Sequence, residues 1–314
     1  MCGAVNRARL TRTAIAALAG ITITICVSAC GAGGGSVPAG KIGVLAAENE
    51  YGNVAQQIGG RYVYVRSIVS NPNTDPHDYE VSPGVAEEVS SAQVLIENGV
   101  GYDSWMSKVA SASPSTTRQV INAQNLLHLP ITTPNPHLWY SPLTMPVVAG
   151  AMAKAFAKLE PQHAAYFQAN VTKFDHSLTP WLQAIANFKS KYAGAAVATT
   201  EPVADYLLQA MDVFNLTPFS LQADIMNGID PSAQGISNQD LLFSAHRVKV
   251  FVHNEQVTDP LTEGFVNAAR QAGIPVVGVY ETMPTPGYSY QRWMLAETEA
   301  IEKAVADKIS TATL

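Results

Sequence analysis

Strand-like and helix-like segments alternate over residues 41–99, and this alternation limits the fold more than any other feature of the sequence. The order is strand, helix, strand, helix, strand, which predicts a parallel sheet with helices on both faces. In such sheets, ligands bind beyond the carboxyl ends of the strands. The five segments are KIGVLAAE (41–48), NVAQQIGG (53–60), YVYVRSIVS (62–70), PGVAEEVSSA (83–92) and QVLIENG (93–99).

The second half of the chain repeats this order of segments. It therefore predicts a second α/β lobe with its own parallel sheet. Its strands and helices are AAVATTE (195–201), VADYLLQAM (203–211), VKVFVHN (248–254), LTEGFVNAARQAG (261–273) and PVVGVYE (275–281).

A long helical pattern lies between the two predicted lobes. Its apolar residues recur at spacings of three and four, which places them on one helix face. A helix over residues 163–192 would be about 45 Å long at ~1.5 Å per residue, but Pro180 predicts a kink or break because an interior proline loses a hydrogen bond. The apolar face consists of Phe167, Val171, Phe174, Leu178, Trp181, Ile185, Phe188 and Tyr192.

The first 29 residues have the pattern of an export signal. Three arginines precede an apolar run over residues 14–29 that is too short for a membrane-spanning helix. The stretch VSAC ending at Cys30 resembles a bacterial lipobox, in which the cysteine carries a lipid and becomes the first mature residue. An ordinary signal peptide with an incidental cysteine is the alternative, but the Gly/Ser-rich tether over residues 31–40 favours the lipoprotein.

These patterns together predict an α/β protein of two lobes, each a parallel sheet flanked by helices, joined by a long connecting helix. The predicted organisation is a lipoprotein signal peptide (1–29), a flexible tether (30–40), an N-terminal lobe (41–160), the connecting helix (161–193) and a C-terminal lobe (194–314). Only Cys30 of the three cysteines lies outside the predicted signal, so the mature chain has no disulfide. It is acidic overall and has no basic cluster, which argues against nucleic acid as a partner.

Four motifs resemble those of a known family, the metal-binding solute receptors of zinc and manganese ABC importers (cluster A-I, or cluster 9). The resemblance covers nearly all of residues 40–314. It implies a monomeric receptor that is anchored by a lipid on Cys30 to the outer face of the bacterial cytoplasmic membrane and delivers Zn²⁺ or Mn²⁺ to an ABC permease, without enzymatic activity. The motifs are DPHDYE (75–80), NPHLWYSP (135–142), ATTEPVADYLL (198–208) and ETMPTPGYSYQRWM (281–294).

The resemblance implies four metal ligands, one from each motif. They are His77, His137, Glu201 and Glu281, which would meet between the lobes. The family usually has an aspartate at the fourth position, so Glu281 is a departure that lengthens the side chain. Imidazole and carboxylate groups are suitable ligands for zinc and manganese, and a cation would offset the cost of burying two acids together.

Other interpretations of these residues stay open at the level of sequence. Glu201 could cap the helix that begins near Pro202, and Glu281 could be a surface acid. His253 and Glu255, at another strand end, are interpreted as residues that line the cleft, with His253 as the alternative source of the fourth ligand. The remaining histidines, His128, His163, His176 and His246, are interpreted as bystanders, and Trp139, Tyr140, Tyr288 and Tyr290 as the cleft wall or core.

Two other functions are compatible with the same residues. A metal-dependent hydrolase would keep an open coordination position for water, and a surface adhesin would use the metal only to hold its fold. The sequence contains no HExxH helix and no GxSxG elbow. It also lacks a histidine-rich acidic loop between His77 and His137, which many zinc-specific members of the resembling family have.

Overall fold

The structure is a computed structural model that describes residues 37–73 and 75–314. The predicted signal peptide and most of the predicted tether lie outside these residues. Eight strands are present: β1 (Ile42–Glu48), β2 (Val63–Val69), β3 (Val94–Glu97), β4 (Gln119–Asn122), β5 (Ala196–Thr199), β6 (Phe214–Asn215), β7 (Val250–Asn254) and β8 (Val276–Val279).

Twelve α-helices are present in the same part of the chain. They are α1 (Asn49–Gly59), α2 (Pro83–Ser91), α3 (Ser104–Ala112), α4 (Ala123–Leu126), α5 (Thr144–Leu159), α6 (Ala164–Ser177), α7 (Thr179–Tyr192), α8 (Asp205–Ala210), α9 (Phe219–Met226), α10 (Ala233–Ser244), α11 (Pro260–Gln271) and α12 (Tyr290–Asp307).

The strands form two separate four-stranded parallel sheets. The order is β2-β1-β3-β4 in the first lobe and β6-β5-β7-β8 in the second. All seven residues of β1 are buried, as expected for a central strand covered on both faces. In each sheet the chain runs from a central strand to one side and then crosses to the other, which leaves a crevice at the carboxyl ends of the central strands.

Local sequence signals explain where several helices begin. Ser82 accepts a hydrogen bond from the backbone N–H of Val85, and Pro83 occupies the first turn of α2. Asp259 and Thr262 form a reciprocal capping box at the start of α11, where Pro260 again lies in the first turn. A proline there loses nothing, because its missing N–H would have no partner inside the helix.

The stretch between the lobes is two consecutive helices instead of one continuous helix. Helix α6 ends at Ser177, Leu178 joins it to α7, and Pro180 lies in the first turn of α7. The break therefore falls where the proline removes a backbone donor. The predicted apolar face is buried from Phe167 to Phe188, and Tyr192 is partly buried.

The C-terminal helix α12 also crosses between the lobes. At its start, the backbone N–H of Tyr290 donates to Asn53 Oδ1 at 3.1 Å and its hydroxyl donates to the Trp139 carbonyl at 2.6 Å, so it begins against the first lobe. Further along, Trp181 Nε1 donates to Thr298 Oγ1 at 3.0 Å. Within the described residues, every helix is too short or too polar to cross a membrane.

Candidate metal centre

Four predicted site residues follow carboxyl ends of strands or lie in nearby loops. His77 lies in a short 3-10 turn after β2, and His137 immediately precedes a second such turn before α5. Glu201 and Glu281 each come two residues after a strand, β5 and β8 respectively. Because parallel strands end at one edge of their sheet, each lobe presents its candidates on the side that faces the crevice.

The structure brings three of these residues together. Glu281 Oε2 lies 3.3 Å from His77 Nε2 and 3.2 Å from His137 Nε2. One ligand atom from each side chain lies within 4.8 Å of the other two. Among the described histidines, cysteines and acids, no other group of three or more residues meets this distance. His137 and Glu281 are fully buried, whereas the His77 side chain is 20% exposed. The exposed part of His77 does not include its ligand nitrogen, because Nε2 is buried like that of His137.

The orientation of His137 follows from its contacts with Asn135. Asn135 Oδ1 accepts the backbone N–H of His137 at 3.0 Å, so the same oxygen at 2.8 Å from Nδ1 must accept the ring N–H. When the imidazole is neutral, this contact leaves the lone pair on Nε2, the nitrogen that faces Glu281. Asn135 Nδ2 donates to the carbonyl of Pro202 at 2.7 Å, next to Glu201. A hydrogen bond of this type fixes a metal-binding imidazole in both tautomer and direction.

His77 is held through its backbone. Asp75 Oδ1 accepts the backbone N–H of His77 at 2.8 Å, and Pro76 occupies the first position of the turn. The sequence DPH thus builds a capped turn that presents the imidazole.

Glu201 lies beside the group but outside it. Its side chain is buried, and Oε1 lies 3.3 Å from Asn254 Nδ2, which also donates to Glu281 Oε1 at 2.7 Å. Glu201 Oε2 accepts no hydrogen bond from the residues that the structure describes. The two carboxylates are therefore linked through one amide, and Glu201 is the predicted ligand that the structure does not bring into the group of three.

The charges of the site suit a cation. Burial alone would raise the pKa of Glu281, but the imidazoles of His77 and His137 outweigh this effect and hold its pKa well below the ordinary value. Burial lowers the pKa of His137, against the raising effect of the Glu281 carboxylate, and only the neutral imidazole binds a metal. Burial raises the pKa of Glu201, and the charge of Glu281 adds to the rise. An incoming cation would therefore favour loss of a proton from Glu201.

Tyr102, in the loop between β3 and α3, also contacts the group and was not predicted from the sequence. Its hydroxyl donates to Glu281 Oε2 at 2.8 Å. Its ring lies edge-on to His77 and His137, with centroids 4.9 and 5.8 Å apart. No motif marks this residue, because its partner Glu281 is 179 positions away in the chain.

Backbone contacts fix the position of Glu281 as well. Gln256 Oε1 accepts the N–H groups of Glu281 and Thr282 at 2.6 and 2.7 Å. Trp139 packs against the site, with its ring 5.4 Å from that of His137. Trp139, Tyr140 and Tyr290 are fully buried and Tyr288 is partly buried, so these aromatic residues contribute to the core as well as the wall of the site.

His253 does not join the group. It lies on β7 directly before Asn254, and alternation along the strand points it to the opposite face, where its ring lies 6.3 Å from that of Phe251. Burial lowers the pKa of His253 to about 4, and the charge of Arg270 contributes to this. Glu255 is partly buried next to Gly278. The end of β7 thus contributes Asn254 to the site, and not His253, which the sequence had offered as the alternative ligand.

Comparisons with known proteins agree with this fold. The family model ZnuA, described as zinc-uptake complex component A, periplasmic, matches residues 44–304. The manganese-binding lipoprotein MntA of Bacillus subtilis is 26% identical over 264 residues, which cover 80% of this chain and 83% of MntA. The metal ABC transporter substrate-binding lipoprotein SloC of Streptococcus mutans is 25% identical over 150 residues, 44% of this chain and 49% of SloC.

A solved structure has the same architecture. The SBP FpvC of Pseudomonas aeruginosa, determined in complex with Mn²⁺, superposes with a TM-score of 0.71 at 18% identity, covering 85% of this chain and 99% of FpvC. At this identity the likeness concerns the fold alone. It confirms the predicted two-lobed α/β architecture.

Proposed function

The chain belongs to the ZnuA family of zinc-uptake components, and on this premise we propose that it is the solute receptor of an ABC importer for a divalent transition metal. It captures Zn²⁺ or Mn²⁺ outside the cytoplasmic membrane and delivers the ion to the permease. The observation that carries the proposal is the meeting of His77, His137 and Glu281 at one buried point. The ion is cargo, so the protein binds and releases it and is not an enzyme.

The proposed ligand atoms are His77 Nε2, His137 Nε2 and Glu281 Oε2, with a Glu201 oxygen as the fourth. The two imidazole nitrogens and two carboxylate oxygens suit Zn²⁺, a borderline cation, and the carboxylates also suit the harder Mn²⁺. Glu201 is supported by its burial and by an oxygen that accepts no hydrogen bond from the described residues. A buried acceptor without a partner is costly, and a bound cation would remove that cost.

The affinity order of the metals and the names of related proteins bear on the choice between zinc and manganese. Zn²⁺ lies well above Mn²⁺ in the Irving–Williams order, so the isolated protein should bind zinc at least as tightly. The family model is named for zinc uptake, whereas MntA is named for manganese binding. Either ion is therefore a candidate cargo.

We further propose that Cys30 carries a lipid that anchors the monomeric receptor to the outer face of the bacterial cytoplasmic membrane. The support is the lipobox-like VSAC followed by a glycine-rich tether. MntA and SloC are both named as lipoproteins. A lipid anchor keeps the receptor close to its permease.

Metal analysis of protein purified without added metal, followed by competition titration, tests the proposed function. His77→Ala, His137→Ala and Glu281→Ala should each weaken binding at least tenfold, which is about 1.4 kcal/mol. His176→Ala is the matched control, because His176 is an exposed histidine on α6. Wild-type protein that binds no transition metal, or site variants that titrate like His176→Ala, would contradict the proposal.

A further inference from the structure

Asn254 lies between the two carboxylates because of the strand order of the second lobe. Glu201 follows β5, Glu281 follows β8, and β7 pairs with both strands. Asn254 is the last residue of β7. Its backbone N–H donates to Thr200 Oγ1 at 3.0 Å, and it pairs with Val279 of β8. The sheet therefore places its side chain next to both acids.

The direction of the Asn254 amide is set by a second contact. Its Oδ1 accepts the backbone N–H of Gln256 at 3.1 Å, so Nδ2 must be the atom that faces the acids. Nδ2 lies 2.7 Å from Glu281 Oε1 and 3.3 Å from Glu201 Oε1. An amide donor with this geometry satisfies the Glu281 oxygen that points away from the histidines.

The two oxygens of Glu281 consequently have different surroundings. Oε2 faces both imidazole nitrogens at 3.2 and 3.3 Å and accepts the hydroxyl proton of Tyr102. Oε1 accepts a hydrogen bond from the amide of Asn254. This bond is shorter than the contact between the same amide and Glu201. The contacts with both imidazole nitrogens are therefore made by Oε2, and the contact with Asn254 by Oε1.

We propose that Asn254 is a positioning residue that restricts Glu281 to a single ligand oxygen and thereby biases the site towards Zn²⁺ over Mn²⁺. This inference rests on the proposed function. With one oxygen from Glu281, two imidazoles and Glu201, the site is four-coordinate, as Zn²⁺ prefers. Mn²⁺ favours more oxygen ligands and higher coordination, which a two-oxygen Glu281 would supply.

The bias predicts the effect of removing the amide. Asn254→Ala removes the contact that holds Oε1 towards β7, so the carboxylate can turn both oxygens towards the metal. The ratio of the Zn²⁺ to the Mn²⁺ dissociation constant should then rise at least tenfold. Asn254→Val is the second variant, because a β-branched side chain keeps bulk at a strand end without a donor. Melting of the metal-free variants shows which of them are folded.

Two matched controls separate this role from a general loss of hydrogen bonding. Tyr102→Phe also removes one neutral donor from Glu281, but from Oε2, so both dissociation constants should change together and leave their ratio unaltered. Asn215→Ala removes an amide that donates to Asp205 Oδ1 at 2.9 Å elsewhere in the same lobe. It should affect stability and leave metal preference as in the wild type.

Co²⁺ provides a spectroscopic test, because four-coordinate Co²⁺ absorbs visible light far more strongly than five- or six-coordinate Co²⁺. Wild-type protein loaded with Co²⁺ should give strong bands that weaken in the folded Asn254 variants. A wild-type spectrum of six-coordinate Co²⁺, or Asn254 variants with the wild-type spectrum and metal ratio, would overturn the inference while leaving the receptor function standing. Wild-type protein that binds neither Co²⁺, Zn²⁺ nor Mn²⁺ would overturn both.

Discussion

The buried carboxyl of Glu297 should make the metal-free protein less stable as the pH rises. Glu297 lies on α12 and is fully buried. Its Oε1 accepts hydrogen bonds from Trp293 Nε1 at 2.6 Å and from the backbone N–H of Tyr280 at 3.3 Å. Tyr280 is the residue directly before Glu281. Burial raises the pKa of Glu297 from 4.5 to about 8, against the lowering effect of these hydrogen bonds.

The sign and the size of the effect follow from that pKa. Between pH 4.5 and 8 the folded state holds a proton on Glu297 that the unfolded state has lost. The contribution of Glu297 to the free energy of unfolding is therefore fully present below pH 4.5 and is lost as the pH rises through 8. At 1.36 kcal/mol per pKa unit, the loss over the whole range approaches about 5 kcal/mol. Glu297→Gln keeps an acceptor for Trp293 and cannot ionise, so its stability should fall much less.

Urea denaturation of metal-free protein between pH 5 and 8.5 measures this difference. The free energy of unfolding of Glu297→Gln minus that of the wild type should increase with pH over this range. Glu299→Gln is the matched control, because Glu299 is an exposed acid on the same helix. A wild-type and Glu297→Gln difference that does not change with pH would refute the reasoning, since Glu297 would then be ionised in the folded protein.

Three further predictions concern the receptor as a whole. The metal-free protein should unfold cooperatively, and metal at a hundredfold excess over its dissociation constant should add about 2.7 kcal/mol to the free energy of unfolding. A chelated sample with no cooperative transition in thermal melting would show that the metal is structural. Asn135→Ala should weaken metal binding, measured by titration, by roughly 10–100-fold, because His137 loses the hydrogen bond that sets its tautomer. An Asn135→Ala variant with wild-type affinity would show that Asn135 has no such role. Cys30→Ala should move the protein from the membrane to the soluble exported fraction, and continued fractionation with membranes would exclude the lipid on Cys30.

Much of the fold could be predicted from the sequence because its central strands are apolar and regularly spaced. The three strands of 41–99 lie where the pattern predicts them, within a few residues. The edge strands β4 and β6 were not predicted. Strand β6 has only two residues, and β4 has four residues of which only Ile121 is buried, so neither shows a usable periodicity. Their pairing is decided by the neighbouring strand.

The site was partly predictable for a related reason. His77, His137 and Glu281 lie in motifs with recognisable neighbours, and the structure brings them together. Tyr102 and Asn254 were not identified, because each acts through a contact with Glu281 that depends on how the lobes and strands are arranged. At the end of β7 the sequence drew attention to His253, whereas strand alternation directs the adjacent Asn254 towards the acids.

The most direct test of the central claim is the position of the metal itself. Crystals of the metal-loaded protein, with anomalous data collected at the zinc and manganese absorption edges, should show one strong peak bonded to His77 Nε2, His137 Nε2 and Glu281 Oε2, with Glu201 as the fourth ligand. A peak elsewhere, such as beside His253, with this group free of metal, would contradict the account.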